Sequence, residues 1–144
     1  ICACLVGSEM CIRDRPEVLL RVPGDRQYAL AIRTALGGVA ILKDLDADTL
    51  DDLRMAADEM CDCLLHQGRT VDHLEVAVYD EGDYLKVAIS ACYGEKKCPC
   101  EDETEITRAV LQTLASDVEM TRCGDCVQCI TLLLHKATAP LKKQ

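Results

Sequence analysis

At 144 residues the chain is long enough to bury a core and short enough to form one domain, so a single site or surface is expected. A formal net charge of -9 argues against nucleic acid or an anionic membrane as partner and favours a basic protein surface. No apolar run nears the roughly 20 residues that span a bilayer, so a cytoplasmic chain is expected. Eleven cysteines without a secretion signal argue against a disulfide scaffold and leave three readings: metal ligands, redox-active thiols, or small buried apolar residues.

In chain order, residues Ile1 to Arg15 come first. Met10-Cys11-Ile12-Arg13-Asp14-Arg15 resembles the translation of a sequencing-library adapter, so residues 1–15 are expected to be a non-native tail outside the fold, leaving a domain over 16–138 and a tail over 139–144. Val18, Leu19, Leu20 and Val22 form a short apolar strand that Pro23-Gly24 ends. Asp25 then stands at a helix N-cap position. From Arg26 to about Leu42, Tyr28, Leu30, Ile32, Ala35, Leu36, Val39 and Leu42 recur mostly every three or four residues, a helical period. The Gly37-Gly38 pair inside this run permits close helix packing or a kink.

Asp44, Asp46, Asp48, Asp51 and Asp52 lead into a second helix, where negative charge meets the positive end of the helix dipole. That helix runs to about His66, with Leu50, Leu53, Ala57, Met60 or Cys61, and Leu64 facing inward and Gln67-Gly68 as its stop. Leu74, Val76 and Val78 alternate with polar or small residues, as do Leu85, Val87, Ile89 and Ala91, around a turn at Asp80-Glu81-Gly82-Asp83. This is a β-hairpin. Residues 93 to 102 read as irregular. A third helix over about Glu103 to Ala115 presents Ile106, Val110, Leu111 and Leu114. Val118 to Arg122 and Val127 to His135 are then two strands joined around Gly124-Asp125. The order β, α, α, β, β, α, β, β predicts a two-layer α/β sandwich, a mostly antiparallel sheet with helices on one face.

The run Arg21-Val-Pro-Gly-Asp-Arg-Gln-Tyr, followed by a helix and then by Asp51 through Glu59 and Cys63 to Gly68, resembles the anti-sigma-factor serine/threonine kinases. These belong to the GHKL superfamily with gyrase, histidine kinases and MutL, and the resemblance implies the histidine kinase-like ATPase fold. In that family the second helix carries Glu-x-x-x-Asn, because residues four apart share a helical face. The Glu orients or deprotonates the attacking hydroxyl and the Asn helps hold Mg²⁺ against ATP. Here Glu59 matches the Glu, and it reads otherwise as a solvated helix glutamate. Cys63 replaces the Asn, and a neutral thiol is a poor ligand for a hard cation. Asp62 lies about 100° around the helix from Cys63 and is no simple substitute.

Where the family has Asp-x-Gly-x-Gly, this chain has Ala91-Cys92-Tyr93-Gly94-Glu95, so both the Asp that reads adenine and the Gly after it are missing. Asp80-Glu81-Gly82 looks similar but belongs to the hairpin turn. No glycine lies between Gly94 and Gly124 to admit a phosphate at the start of the third helix. Glu103 and Glu105 there would repel one. The residues therefore argue against ATP and Mg²⁺, leaving Glu59 as a vestige of a catalytic site. The resemblance implies a binding protein whose partners are a sigma factor and an anti-anti-sigma-like protein, acting as a dimer. The alternatives are an ATP-dependent serine/threonine kinase and a zinc or thiol sensor on the same fold. For zinc, the candidate ligands are Cys98, Cys100, Cys123 and Cys126. Against such a site, Cys126 and Cys129 point to opposite faces of an extended strand.

Overall fold

The computed structural model describes residues 15–100 and 104–136, with the side chains of 95–100 excluded. The tails at 1–14 and 139–144 lie outside the described residues, as do the thiols of Cys98 and Cys100. The strands are β1 (Val18–Pro23), β2 (Gln67–Glu81), β3 (Tyr84–Cys100), β4 (Asp117–Cys123) and β5 (Cys126–His135). The helices are α1 (Ala29–Leu42), α2 (Ala47–Leu65) and α3 (Thr104–Leu114). The strands form one antiparallel sheet in the order β1-β2-β3-β5-β4. The element order read from the periodicities is the order observed.

Register follows the apolar pattern. Val18, Val78, Val87, Leu132 and Val118 stand opposite one another on successive strands and make one row across all five. A one-residue slip would turn each of them to the other face. With Leu74, Val76, Leu85, Ile89, Ala91 and Ile130 they face the helices. α2 crosses the sheet and buries Leu53, Ala56, Ala57, Met60, Cys61, Cys63 and Leu64. Each fully buried large side chain contributes about 1.5–3 kcal/mol relative to exposure. Leu50, expected on the inward face, is half-buried at its edge.

Asp25 accepts a hydrogen bond from the Gln27 amide and caps a 3₁₀ turn, Arg26–Tyr28, that precedes α1. The predicted single helix from Arg26 is thus a tight turn followed by α1. Within α1, Ile32, Leu36, Val39 and Ala40 point inward, whereas Leu30 and Leu42 are exposed. Gly37 meets the Arg54 guanidinium of α2 while Gly38 faces open space, so the pair serves packing, and α1 is continuous through it. α2 starts at Asp46, whose carboxylate accepts from the Thr49 amide at 2.8 Å. The Thr49 hydroxyl, and after it that amide bond, holds the Asp46 carboxyl below its ordinary value.

The segment read as irregular over 93 to 102 is corrected: β3 continues to Cys100, paired with a β2 that begins at Gln67. Three register shifts, between Gln67, Arg69, Val71 and His73, explain why. Each shift interrupts the period-two alternation by which a strand is recognised. Gly24 is required here for a different reason. A side chain at that position would fall 2.2 Å from the Val71 carbonyl oxygen.

Candidate functional site

The C-terminal end of α2, the 3₁₀ turn and the start of α3 enclose a cavity of about 170 Å³ lined by Arg26, Glu59, Asp62, Cys63, His66, Gln67 and Thr107. Glu59 and Cys63 lie four residues apart on one helical face, as their spacing required, and both reach the cavity wall. Asp62 lines the cavity as well. Its carboxylate is engaged by the Arg26 guanidinium, an ion pair that ties the 3₁₀ turn to α2 across the mouth. The cavity is smaller than the roughly 300–1,000 Å³ typical of small-molecule sites.

Its floor is built by Gln67, a residue the sequence presented only as a helix stop. The Gln67 side chain is nearly buried; its Nε2 donates to the Cys63 carbonyl at 3.0 Å and its Oε1 accepts from the Val127 amide at 2.9 Å. The Gln67 main-chain oxygen accepts from the Cys126 thiol at 3.3 Å. One side chain thereby joins the last turn of α2 to β5. His66 ends the helix, its Nδ1 lying 2.7 Å from the Asp62 carbonyl.

Tyr93, in the segment where the resembled family carries Asp-x-Gly-x-Gly, reaches the same junction from β3. Its hydroxyl donates to the Val127 carbonyl at 2.6 Å and lies 3.0 Å from that of Leu64. Ala91, at the position of the missing Asp, is fully buried in the core. Asp80 and Gly82 lie at the β2–β3 turn, as the decoy reading required. Asp80 is held there by Lys136 at 2.5 Å and Lys43 at 2.8 Å, and these two ammonium groups keep its carboxyl well below the usual range.

Of the four thiols considered for zinc, Cys123 and Cys126 face each other across the β4–β5 turn. Cys98 and Cys100 lie far along β3, their side chains outside the described residues. Among the described residues no three His, Cys, Asp or Glu side chains form a metal-sized group. Cys61, Cys63, Cys126 and Cys129 are buried, Cys92 is half-buried and Cys123 is exposed, so packing describes most of the described thiols. Burial, aided by Asp58 and Asp62, pushes the Cys61 thiol up to about 12. No described helix is long and apolar enough to cross a membrane.

No protein-family model matches the chain. The anti-sigma-F factor RsbW of Mycobacterium tuberculosis, in strains CDC 1551 and H37Rv, is 28% identical over 123 residues, covering 81% of this chain and 70% of the relative. A crystal structure of the RsbU and RsbW domains of Rv1364c from the same organism superposes with a TM-score of 0.60 at 15% identity. The match covers 83% of this chain and 33% of that one, so this chain spans about a third of the length of that chain. The fold is the one found there.

Proposed function

We propose that this chain is an anti-sigma-factor regulatory domain that acts by binding its partner, without ATP-dependent phosphoryl transfer. The observation that carries the first half is the similarity to anti-sigma-F factor RsbW over four-fifths of the chain. The fold is consistent with it, and the formal net charge of -9 suits a partner that presents basic surfaces to DNA and polymerase.

The second half rests on the cavity and on the β3 positions where the resembled family carries its adenine-reading motif. The Cys63 side chain supplies no oxygen for Mg²⁺, the Ala91 side chain offers no hydrogen-bonding group, and the Tyr93 hydroxyl is committed to the junction of α2 and β5. Arg26 pairs with Asp62 at the mouth. With no glycine between Gly94 and Gly124 to admit a phosphate, three lost contacts at about 1–3 kcal/mol each would carry a micromolar site beyond millimolar.

The test has two arms. Capture from the native cytosol should recover a sigma factor or an anti-anti-sigma-like protein, and ATP with Mg²⁺ should leave the recovery unchanged. Calorimetry should show no saturable ATP binding. A dissociation constant below about 100 μM, roughly 5.5 kcal/mol, would overturn the ATP-independent reading. Glu59 in the cavity wall favours one alternative, an unorthodox serine/threonine kinase. Saturable binding that disappears in Glu59→Ala would establish that alternative in its place.

A further inference from the structure

We propose that Cys123 and Cys126 are an oxidisable pair that peroxide converts to a disulfide across the β4–β5 turn, a modification site that the binding reading does not use. β4 and β5 are joined by two residues, Gly124 and Asp125, and Gly124 has φ 66° while Asp125 is not in the left-handed region. A glycine at the first central position is the mark of a tight hairpin turn. A side chain at Gly124 would meet nothing within 4 Å, so this glycine serves the turn's backbone and not a close contact. The turn sets Cys123 directly opposite Cys126 in the ladder. Opposed residues in an antiparallel pair lie about 4.5–5.5 Å apart at Cα and share one face, inside the range of about 4.4–6.8 Å that a disulfide bridges.

The two thiols differ in access, and the difference sets the order of events. Cys123 is exposed and Cys126 is buried. The Cys123 thiolate attacks a peroxide oxygen; the S–O bond forms, the O–O bond breaks and one water leaves after protonation. The Cys126 sulfur then attacks the Cys123 sulfur. The S–S bond forms, the S–O bond breaks, and the departing hydroxide takes the Cys126 proton as a second water. Two thiols lose two electrons and two protons, and hydrogen peroxide is reduced to two waters.

Two of the other described thiols, Cys129 and Cys61, are poorly placed to compete. Cys129 packs with Ala77, Tyr79 and Ala88 in a separate cluster of the sheet. Cys61 is fully buried, and burial keeps its thiol protonated. Oxidation also has a route to the cavity. A disulfide sulfur carries no proton, so the bond from Cys126 to the Gln67 carbonyl is lost, and Gln67 is the residue that joins α2 to β5.

The test uses the full chain, reduced, held with a chelator and titrated with hydrogen peroxide, then alkylated and digested with trypsin without reduction. Arg122 and Lys136 bracket a peptide holding Cys123, Cys126 and Cys129. This peptide is expected two hydrogens lighter, with Cys129 alkylated. Cys129→Ser should still form the bond. Cys126→Ser should leave a Cys123 sulfenic acid that a 1,3-dione reagent traps. Should either variant fail to fold, fragment mapping of the wild-type peptide decides alone. Alkylation of both Cys123 and Cys126 after peroxide, or a bond from Cys123 to any other cysteine, would overturn the proposal. In the oxidised protein the amide resonances of Gln67 and Val127 should shift, and unchanged resonances would overturn the route to the cavity.

Discussion

Replacing Gln67 with alanine isolates the junction between α2 and the sheet. The substitution deletes a donor to the Cys63 carbonyl and an acceptor for the Val127 amide, at 3.0 and 2.9 Å. The two losses are unequal. The Cys63 carbonyl keeps a second donor, the His66 amide at 3.2 Å, whereas Val127 is fully buried and its N–H would have no substitute. A buried donor left unsatisfied costs about 1–3 kcal/mol, and the lesser bond adds about 0.5 kcal/mol. The expected loss is therefore about 1.5–3.5 kcal/mol, read in urea as a lower midpoint at unchanged slope.

Gln67→Met keeps the volume and removes both bonds, so it should lose nearly as much as alanine. Gln67→Glu keeps the acceptor for Val127 but sets a carboxylate against the Cys63 carbonyl. That contact raises the folded-state pKa of the new carboxyl, so the native state binds the extra proton. The deficit of Gln67→Glu should accordingly shrink as pH falls through that raised pKa. A loss below about 0.5 kcal/mol in both Gln67→Ala and Gln67→Met would refute the reasoning, because the junction would then not depend on the side chain's polar groups.

Two other predictions concern charge. Asp80→Asn removes the partner of Lys43 and Lys136 and should cost about 0.5–1.5 kcal/mol at low salt, less at high salt, since the cluster is partly exposed. The Asp80 carboxyl is held below 3.8, so its contribution is present above that pH and is lost as pH falls through the depressed value. Lys43 is raised above 10.5, first by its bond to Asp80 and then by Glu17, so its share is lost only as pH rises through the raised value. The gap between wild type and variant should thus be flat between these limits, as measured by thermal unfolding across pH. On β2, Glu75 is 4% exposed and receives Arg21 Nε at 3.1 Å and Nη2 at 2.7 Å. Arg21→Ala should cost about 1–3 kcal/mol at neutral pH, reduced by the exposure of Arg21, and adding Glu75→Gln should recover part of it. No recovery would mean that the loss is packing of the arginine stem.

The sequence by itself determined the element order and most of the inward faces, because those depend on local periodicity, although on α3 Ile106 is exposed and Thr107 is buried in its stead. The three-and-four spacing that placed Leu53, Ala57, Met60 and Leu64 inward, and the alternation that placed Val76, Val78, Val87 and Ile89 inward, needed no knowledge of neighbours. The spacing of Glu59 and Cys63 likewise put both on one face of α2 before any cavity was known. Where periodicity was broken, the reading failed. The far end of β3 looked irregular because successive register shifts destroy the alternation, and the inward set of α1 was wider than the face it buries. The cavity and the junction beside it depended on contacts between distant parts of the chain. Gln67 meets Val127, Tyr93 meets Leu64 and Val127, and Arg26 meets Asp62. Such pairings are set by how α2, β3 and β5 pack together, and a polar residue at the end of a helix carries no local mark of the strand it will meet. Only the tertiary structure could decide them.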